Sequence, residues 1–164
     1  MAYDMKWKNT FQLIVCILIP LLIGGLSGFI TRNEMGNGTW FGSLVKPSFN
    51  PPNYVFGPVW TTLYILMGIS LYLVWTNSVD YIRKKAVFIF GLQLFFNFWW
   101  SILFFKFHML AASVADILAL WITIIWMIRE FKKIKSITAY LQFPYLAWVS
   151  FASVLNASIW LLNR

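Results

Sequence analysis

Residues 40–75 read WFGSLVKPSFNPPNYVFGPVWTTLYILMGISLYLVW, and the fold follows from how that stretch divides. Its first third is a proline-rich linker carrying Trp40, Phe41 and Phe49. The rest is an apolar run long enough to cross a bilayer, with Gly57 and Pro58 followed by Trp60 near its start. Asn50 ahead of Pro51 and Pro52 predicts a helix start: a capping side chain, then a ring whose missing N–H costs nothing in the first turn. Pro58 lies deeper, where a lost hydrogen bond predicts a bend. A lid of aromatics over the mouth of a bent helix points to a cavity rather than a plain anchor.

The composition agrees. Of 164 residues 60% are apolar and only 11% charged, against about 25% charge in an ordinary soluble domain. The formal net charge is +8, but the cations sit in short connections such as Arg83-Lys84-Lys85 and Lys132-Lys133-Ile134-Lys135. No soluble basic face exists to carry nucleic acid, so nucleic acid is not expected as a partner. The single cysteine, Cys16, lies in an apolar run and leaves the redox compartment open.

The predicted fold class is therefore all-α: one domain over 1–164, an integral bundle of five transmembrane helices. The spans are read at 11–30, 54–76, 86–105, 109–128 and 138–162, with 31–53 as a long lid loop containing the turn formers Asn33, Gly36, Asn37 and Gly38. The first run follows a basic start, as a signal peptide would. It outlasts a signal core of about 7–15 residues, has no small-residue cleavage site after a short core, and is read as a retained span. Gly24 and Gly28 form a small-xxx-small pair inviting a close neighbour. Nine Lys/Arg fall at the amino end and in the second and third links, four on the opposite side. This bias places the amino terminus in the cytoplasm and the long loop outside.

Ten tryptophans are many for this length. Trp7, Trp40, Trp75 and Trp160 suit an interfacial aromatic belt. Trp60, Trp100 and Trp148 stand near polar or helix-bending residues and read either as pocket wall or as packing. On helical spacing Asn97, Trp100 and Phe104 share a face, as do Trp148, Ala152 and Asn156. Gln93, Asn97, Asp116 and Asn156 are polar groups inside spans, where they face the bundle interior. Asp116 reads as a structural hydrogen-bond partner or as a proton or ligand site. Ala111, Ala115 and Ala119 form a small-residue stripe suited to close packing or a dimer face. His108, the only histidine, reads as a bland turn residue or, less simply, an axial haem ligand. No metal cluster, nucleophile triad, phosphate loop or paired carboxylates appear.

The blocks KPSFNPP, GPVWTTLY, QLFFNFWWSILFF, VADILAL and FPYLAWVSFASVLN resemble the tryptophan-rich sensory protein and translocator protein (peripheral benzodiazepine receptor) family, TspO/MBR. The resemblance covers nearly the whole chain. It implies a five-helix bundle, commonly a homodimer in membrane lipid, with a pocket under the first long loop. The implied ligands are protoporphyrin IX, haem-type tetrapyrroles and benzodiazepine-type drugs such as PK11195; no cofactor is required. By motif the pocket would use Trp60, Asn97, Trp100, Trp148 and Ala152, and the lid Phe41, Phe49 and Pro51. Trp60 and Trp148 would match the tryptophans associated with light-dependent porphyrin breakdown.

Two departures matter. Phe49 stands where the family usually has tryptophan, keeping a stacking face but losing the indole N–H. Residues 154–159, VLNASI, contain no aromatic and so lack the tyrosine of the mammalian sterol motif, and high-affinity cholesterol recognition is not expected. Lys46 at the rim either pairs with porphyrin propionates or is a surface lysine. The expected function is a membrane receptor for tetrapyrroles and benzodiazepine-type ligands with a regulatory or stress-response role. The alternatives are an enzyme-like photo-oxidation of protoporphyrin and a porphyrin or sterol transporter. The expected home is a bacterial plasma membrane.

Overall fold

A computed structural model describes residues 2–36 and 38–164, with side chains from residue 9 onward. The side chains of Lys6, Trp7 and Lys8, and the turn former Asn37, lie outside the described residues. The architecture is all-helical, with no strand among the described residues. Its helices are α1 (Ala2–Thr31), α2 (Trp40–Ser43), α3 (Asn53–Asn77), α4 (Asp80–Ser101), α5 (Leu110–Ile134), α6 (Ser136–Tyr140) and α7 (Phe143–Leu162). Five segments are long and apolar enough to cross a membrane: Asn9–Glu34, Asn53–Asn77, Asp80–Lys106, Leu110–Ile134 and Ser136–Leu162.

Several boundaries differ from the sequence reading, each for a local reason. Asn50 does not cap α3. The helix begins at Asn53 with Pro52 extended before it (ψ 143°), and Asn50 Nδ2 donates to the Pro51 carbonyl at 2.9 Å. A residue preceding proline is pushed out of the α region, so Pro51 cannot join the helix and the start moves past both rings. Downstream, α3 runs unbroken through Pro58.

The basic segment 129–135, read as a link, is mostly the last turns of α5. Cations at a helix C-terminus complement its dipole, and Lys133 pairs with Glu130 three residues earlier. The last span is split at Leu141–Gln142, just ahead of Pro144 in the first turn of α7. Between α4 and α5 the chain widens into a π-helical turn, Ile102–Lys106, then reverses at His108 in the left-handed region (φ 57°).

The helices form a ring in which α1 packs on α3 and α4, α4 on α5, α5 on α6 and α7, and α6 on α3. Glycine permits the closest approach at two places. At Gly68 the α1 backbone around Cys16 and Ile17 occupies the space a side chain would need. At Gly24 the intruder is the Tyr64 ring, so this member of the small-residue pair receives an aromatic rather than a backbone. Gly25 and Gly28 face open space.

Candidate functional site

A cavity of about 310 Å³ lies at the lid end of the bundle, bounded by α1, α3, α4 with its π turn, and α7. Spacing explains its walls. Trp60 and Tyr64, one helical turn apart on α3, stack with centroids 5.5 Å apart and planes 27° apart. Trp100 of α4 faces Trp60 at 6.2 Å and 34°. Phe104 and Phe105, consecutive in the π turn, both stand on the wall. Phe41, buried in α2, closes the top against both, at 5.9 Å and 5.3 Å.

Polar groups are few and committed to one another. Tyr64 Oη donates to Asn97 Oδ1 (2.8 Å), Asn97 Nδ2 donates to Tyr145 Oη (3.3 Å), and Tyr145 Oη donates to Gln93 Oε1 (2.9 Å). This ladder ties α3, α4 and α7 together beneath the cavity. A second one begins at the Trp100 indole, which donates to Asn156 Oδ1 (2.8 Å), while Asn156 Nδ2 reaches Ser113 Oγ (3.1 Å) on α5. Trp100 therefore offers the cavity a ring face and no free N–H. Asn97 retains one lone pair and one hydrogen for a ligand edge.

The lid is fastened at both ends. Val45 N–H donates to Asn163 Oδ1, and Asn163 Nδ2 donates back to the Val45 carbonyl, both at 2.9 Å. At the other corner Trp40 stacks on His108 at 3.9 Å and 12°, while Glu34 sits 3.6 Å from His108 Nε2 and 3.8 Å from Lys106 Nζ. His108 is thus a clasp between the lid and the α4–α5 turn, outside the cavity wall. Lys46 lies over the Phe41 ring at 4.6 Å, separated from the cavity by that ring.

Of the residues singled out in the sequence, Phe41, Trp60, Asn97, Trp100 and Ala152 meet on the cavity wall. Phe49, Pro51 and Trp148 do not. Trp148 lies in a separate groove between α3 and α7, against Phe56 (5.8 Å) and Phe151 (5.6 Å). Phe49, half exposed, touches Phe151 at 6.3 Å. The Trp148 Nε1 is buried with no hydrogen-bond partner, as is Asp116 Oδ2 on α5. The inward aromatic of α7 is Tyr145, one turn before Trp148 and edge-on to Trp60 at 6.2 Å. Sequence reasoning named Gln93 as an interior polar group, which its burial bears out, but passed over Tyr145 and Tyr64; the spacing of Tyr145 from Ala152 and Asn156 carried the signal.

The cavity also opens sideways. Gly25, Gly57 and Thr61 line it yet are exposed on the outer surface, at the seam between α1 and α3.

The TspO/MBR family model matches residues 16–161. The chain is 44% identical to the tryptophan-rich protein TspO of Archaeoglobus fulgidus, over 94% of this chain and 99% of the relative. It is 38% identical to TspO of Chlorobaculum tepidum, over 95% and 98%. It is 33% identical to the translocator protein of Sus scrofa, over 87% of both. With the family pattern spanning all five apolar helices, this chain belongs to the TspO/MBR family and is a multi-pass integral membrane protein.

Proposed function

We propose that this protein is a membrane receptor that binds tetrapyrroles of the protoporphyrin IX or haem type, and benzodiazepine-type ligands, in the cavity beneath the lid. Its role is regulatory, in the response to stress. The observation that carries the reading is the wall: Trp60, Tyr64, Trp100, Phe104, Phe105 and Phe41 enclose the space, with Asn97 as the polar group at its floor. A flat apolar ring system gains from aromatic faces at stacking distance, and one polar group suffices to orient its edge. The volume of about 310 Å³ is near the lower end of ligand pockets, about 300–1,000 Å³. A macrocycle would therefore extend through the opening between α1 and α3 into lipid. Phe49, Pro51 and Trp148, off the cavity wall, act only indirectly, as packing behind the lid and α7.

The test is quenching of tryptophan emission by protoporphyrin IX in the dark, in lipid nanodiscs. Saturable quenching that weakens in Trp60→Ala and is reversed by a benzodiazepine-type competitor supports the reading. No saturable quenching would overturn it.

Trp60 also favours a second reading, in which light excites the bound porphyrin, the indole gives it an electron and regains one as the porphyrin is broken down, and dioxygen is the net oxidant of the porphyrin. Loss of porphyrin absorbance over several turnovers in light, abolished in Trp60→Phe with Trp148→Phe, would establish it. The charge bias further supports a cytoplasmic amino terminus, and the likeness to TspO of Chlorobaculum tepidum supports a bacterial plasma membrane. The exposed Ala111 and Ala115 on α5 support a homodimer face, which a cysteine cross-link at Ala115 would capture.

A further inference from the structure

The end of the bundle away from the lid gathers charge that the cavity does not use. Arg83, Lys84 and Lys85 stand in the first turns of α4, Arg129, Lys132 and Lys133 in the last turns of α5, and Lys135 in the link to α6. Lys85 and Lys133 both reach Glu130 Oε1, at 3.1 Å and 2.8 Å, which holds the two helix ends side by side. Arg83 pairs with Asp80 at 3.2 Å. Seven cations against these two acids, Asp80 and Glu130, leave five positive charges among the described residues at this corner. Both acids are already engaged. Lys84, Arg129, Lys132 and Lys135 are exposed and make no ion pair among the described residues.

The apolar surface continues directly from these cations. Trp126, exposed, lies one turn before Arg129 on α5, and Tyr140 is exposed just beyond the α5–α6 link. Arg83 lies over the Trp75 ring at 5.4 Å. A charged rim with aromatic residues at its base, above a helix face that meets acyl chains, matches an anionic phospholipid in three parts: phosphate, glycerol level and tails. Topology alone asks only that cations be on this side. It does not ask that two helix ends be clamped by a shared acid while four cations beside them stay unneutralised.

We infer that this corner is a binding site for an anionic glycerophospholipid headgroup, with Arg129, Lys132, Lys135 and Lys84 on its phosphates and Trp126 and Tyr140 at the glycerol level. The site is independent of the cavity and of its ligand.

The experiment uses the full chain in nanodiscs of zwitterionic lipid doped with phosphatidylglycerol, followed by native mass spectrometry of retained lipid. The wild-type chain should retain phosphatidylglycerol selectively. Arg129→Gln with Lys132→Gln and Lys135→Gln should weaken retention about a hundredfold, at roughly fivefold per neutralised cation. The double variant Lys132→Gln with Lys135→Gln should weaken it about 25-fold on the same scale, and serves if the triple variant folds poorly. Removing three cations elsewhere, Arg32→Gln with Lys46→Gln and Arg164→Gln, should leave retention intact. Equal loss in that control, or full retention in the variants, would overturn the site. Displacement by inorganic phosphate at constant ionic strength would overturn it as well, since a lipid held also by its tails should resist a free anion.

Discussion

Trp60 and Trp148 look alike in the sequence and stand in different places in the bundle. Each follows a proline within about one turn, and each lies in a motif that resembles the same family. Trp60 faces inward, stacked on Tyr64 and opposite Trp100. Trp148 faces the outer groove between α3 and α7, beside Phe56 and Phe151, with its indole N–H buried and unpaired. The direction of a helical side chain is set by the neighbour the helix packs on. On α7 that neighbour selects the face of Tyr145, Val149, Ala152 and Asn156, all buried, and leaves Trp148 to one side. Residues four apart are close on a helix, but the buried sector has an edge, and Trp148 sits beyond it.

The two clusters also differ in polar satisfaction. The inner one rests on two hydrogen-bond ladders; the outer one has an orphan donor. The largest expected effect comes from cutting a ladder. Asn97→Leu leaves the Tyr64 hydroxyl, already 2.8 Å from the lost acceptor, without a partner in a buried site. Stability should fall by about 1–3 kcal/mol in a reversible unfolding measurement in mixed micelles. Unchanged stability would mean the ladder is not what organises the cavity floor.

Trp100→Phe should come next, costing about 1–2 kcal/mol, because Asn156 Oδ1 loses its donor while the ring face is largely kept. The same unfolding measurement should find Trp148→Phe smaller, within about 1 kcal/mol of the native protein, since the indole it removes carried an unsatisfied donor. If Trp148→Phe were the more damaging of the two, the contrast between paired and orphan indoles would collapse.

Ligand affinity separates the clusters in another way. Trp60→Ala should weaken dark porphyrin binding about tenfold, the equivalent of about 1.4 kcal/mol for one lost aromatic face. Trp148→Ala should alter it by no more than about threefold, or about 0.7 kcal/mol, because Phe56 stands between that ring and the cavity. Equal losses would mean the ligand reaches the outer groove. The smallest effect is expected at the clasp. Glu34→Gln removes a long, partly exposed ion pair to Lys106 and a contact with His108, and should cost under about 1 kcal/mol of stability, while speeding protoporphyrin release in stopped-flow displacement if the lid opens to let ligand out.

Much of this architecture is written in local sequence. Five apolar runs of bilayer length, separated by charged or turn-forming segments, suffice for an all-helical membrane bundle, because in lipid the backbone must satisfy its own hydrogen bonds. The blocks around Trp60, Asn97 and Trp148 also carry the family, which the match over residues 16–161 bears out. Helix ends were less legible. Asn50 has the chemistry of a cap, yet the steric effect of Pro52 on Pro51 takes precedence. The cations of 129–135 resemble a link until Glu130 is seen to hold Lys133 and Lys85 against the helix end.

Tertiary structure alone decided which polar groups meet and which aromatics face inward. Tyr64, Asn97, Tyr145 and Gln93 come from three helices separated by up to 81 residues of chain between Tyr64 and Tyr145, and no local pattern pairs them. The clasp of Glu34, Trp40 and His108 likewise joins the lid to a turn far along the chain. Hydropathy and spacing act within one helix, so the sequence by itself determined that there are membrane helices and roughly where they run. The rotation of each helix about its axis, and with it the difference between Trp60 and Trp148, is a property of packing between helices.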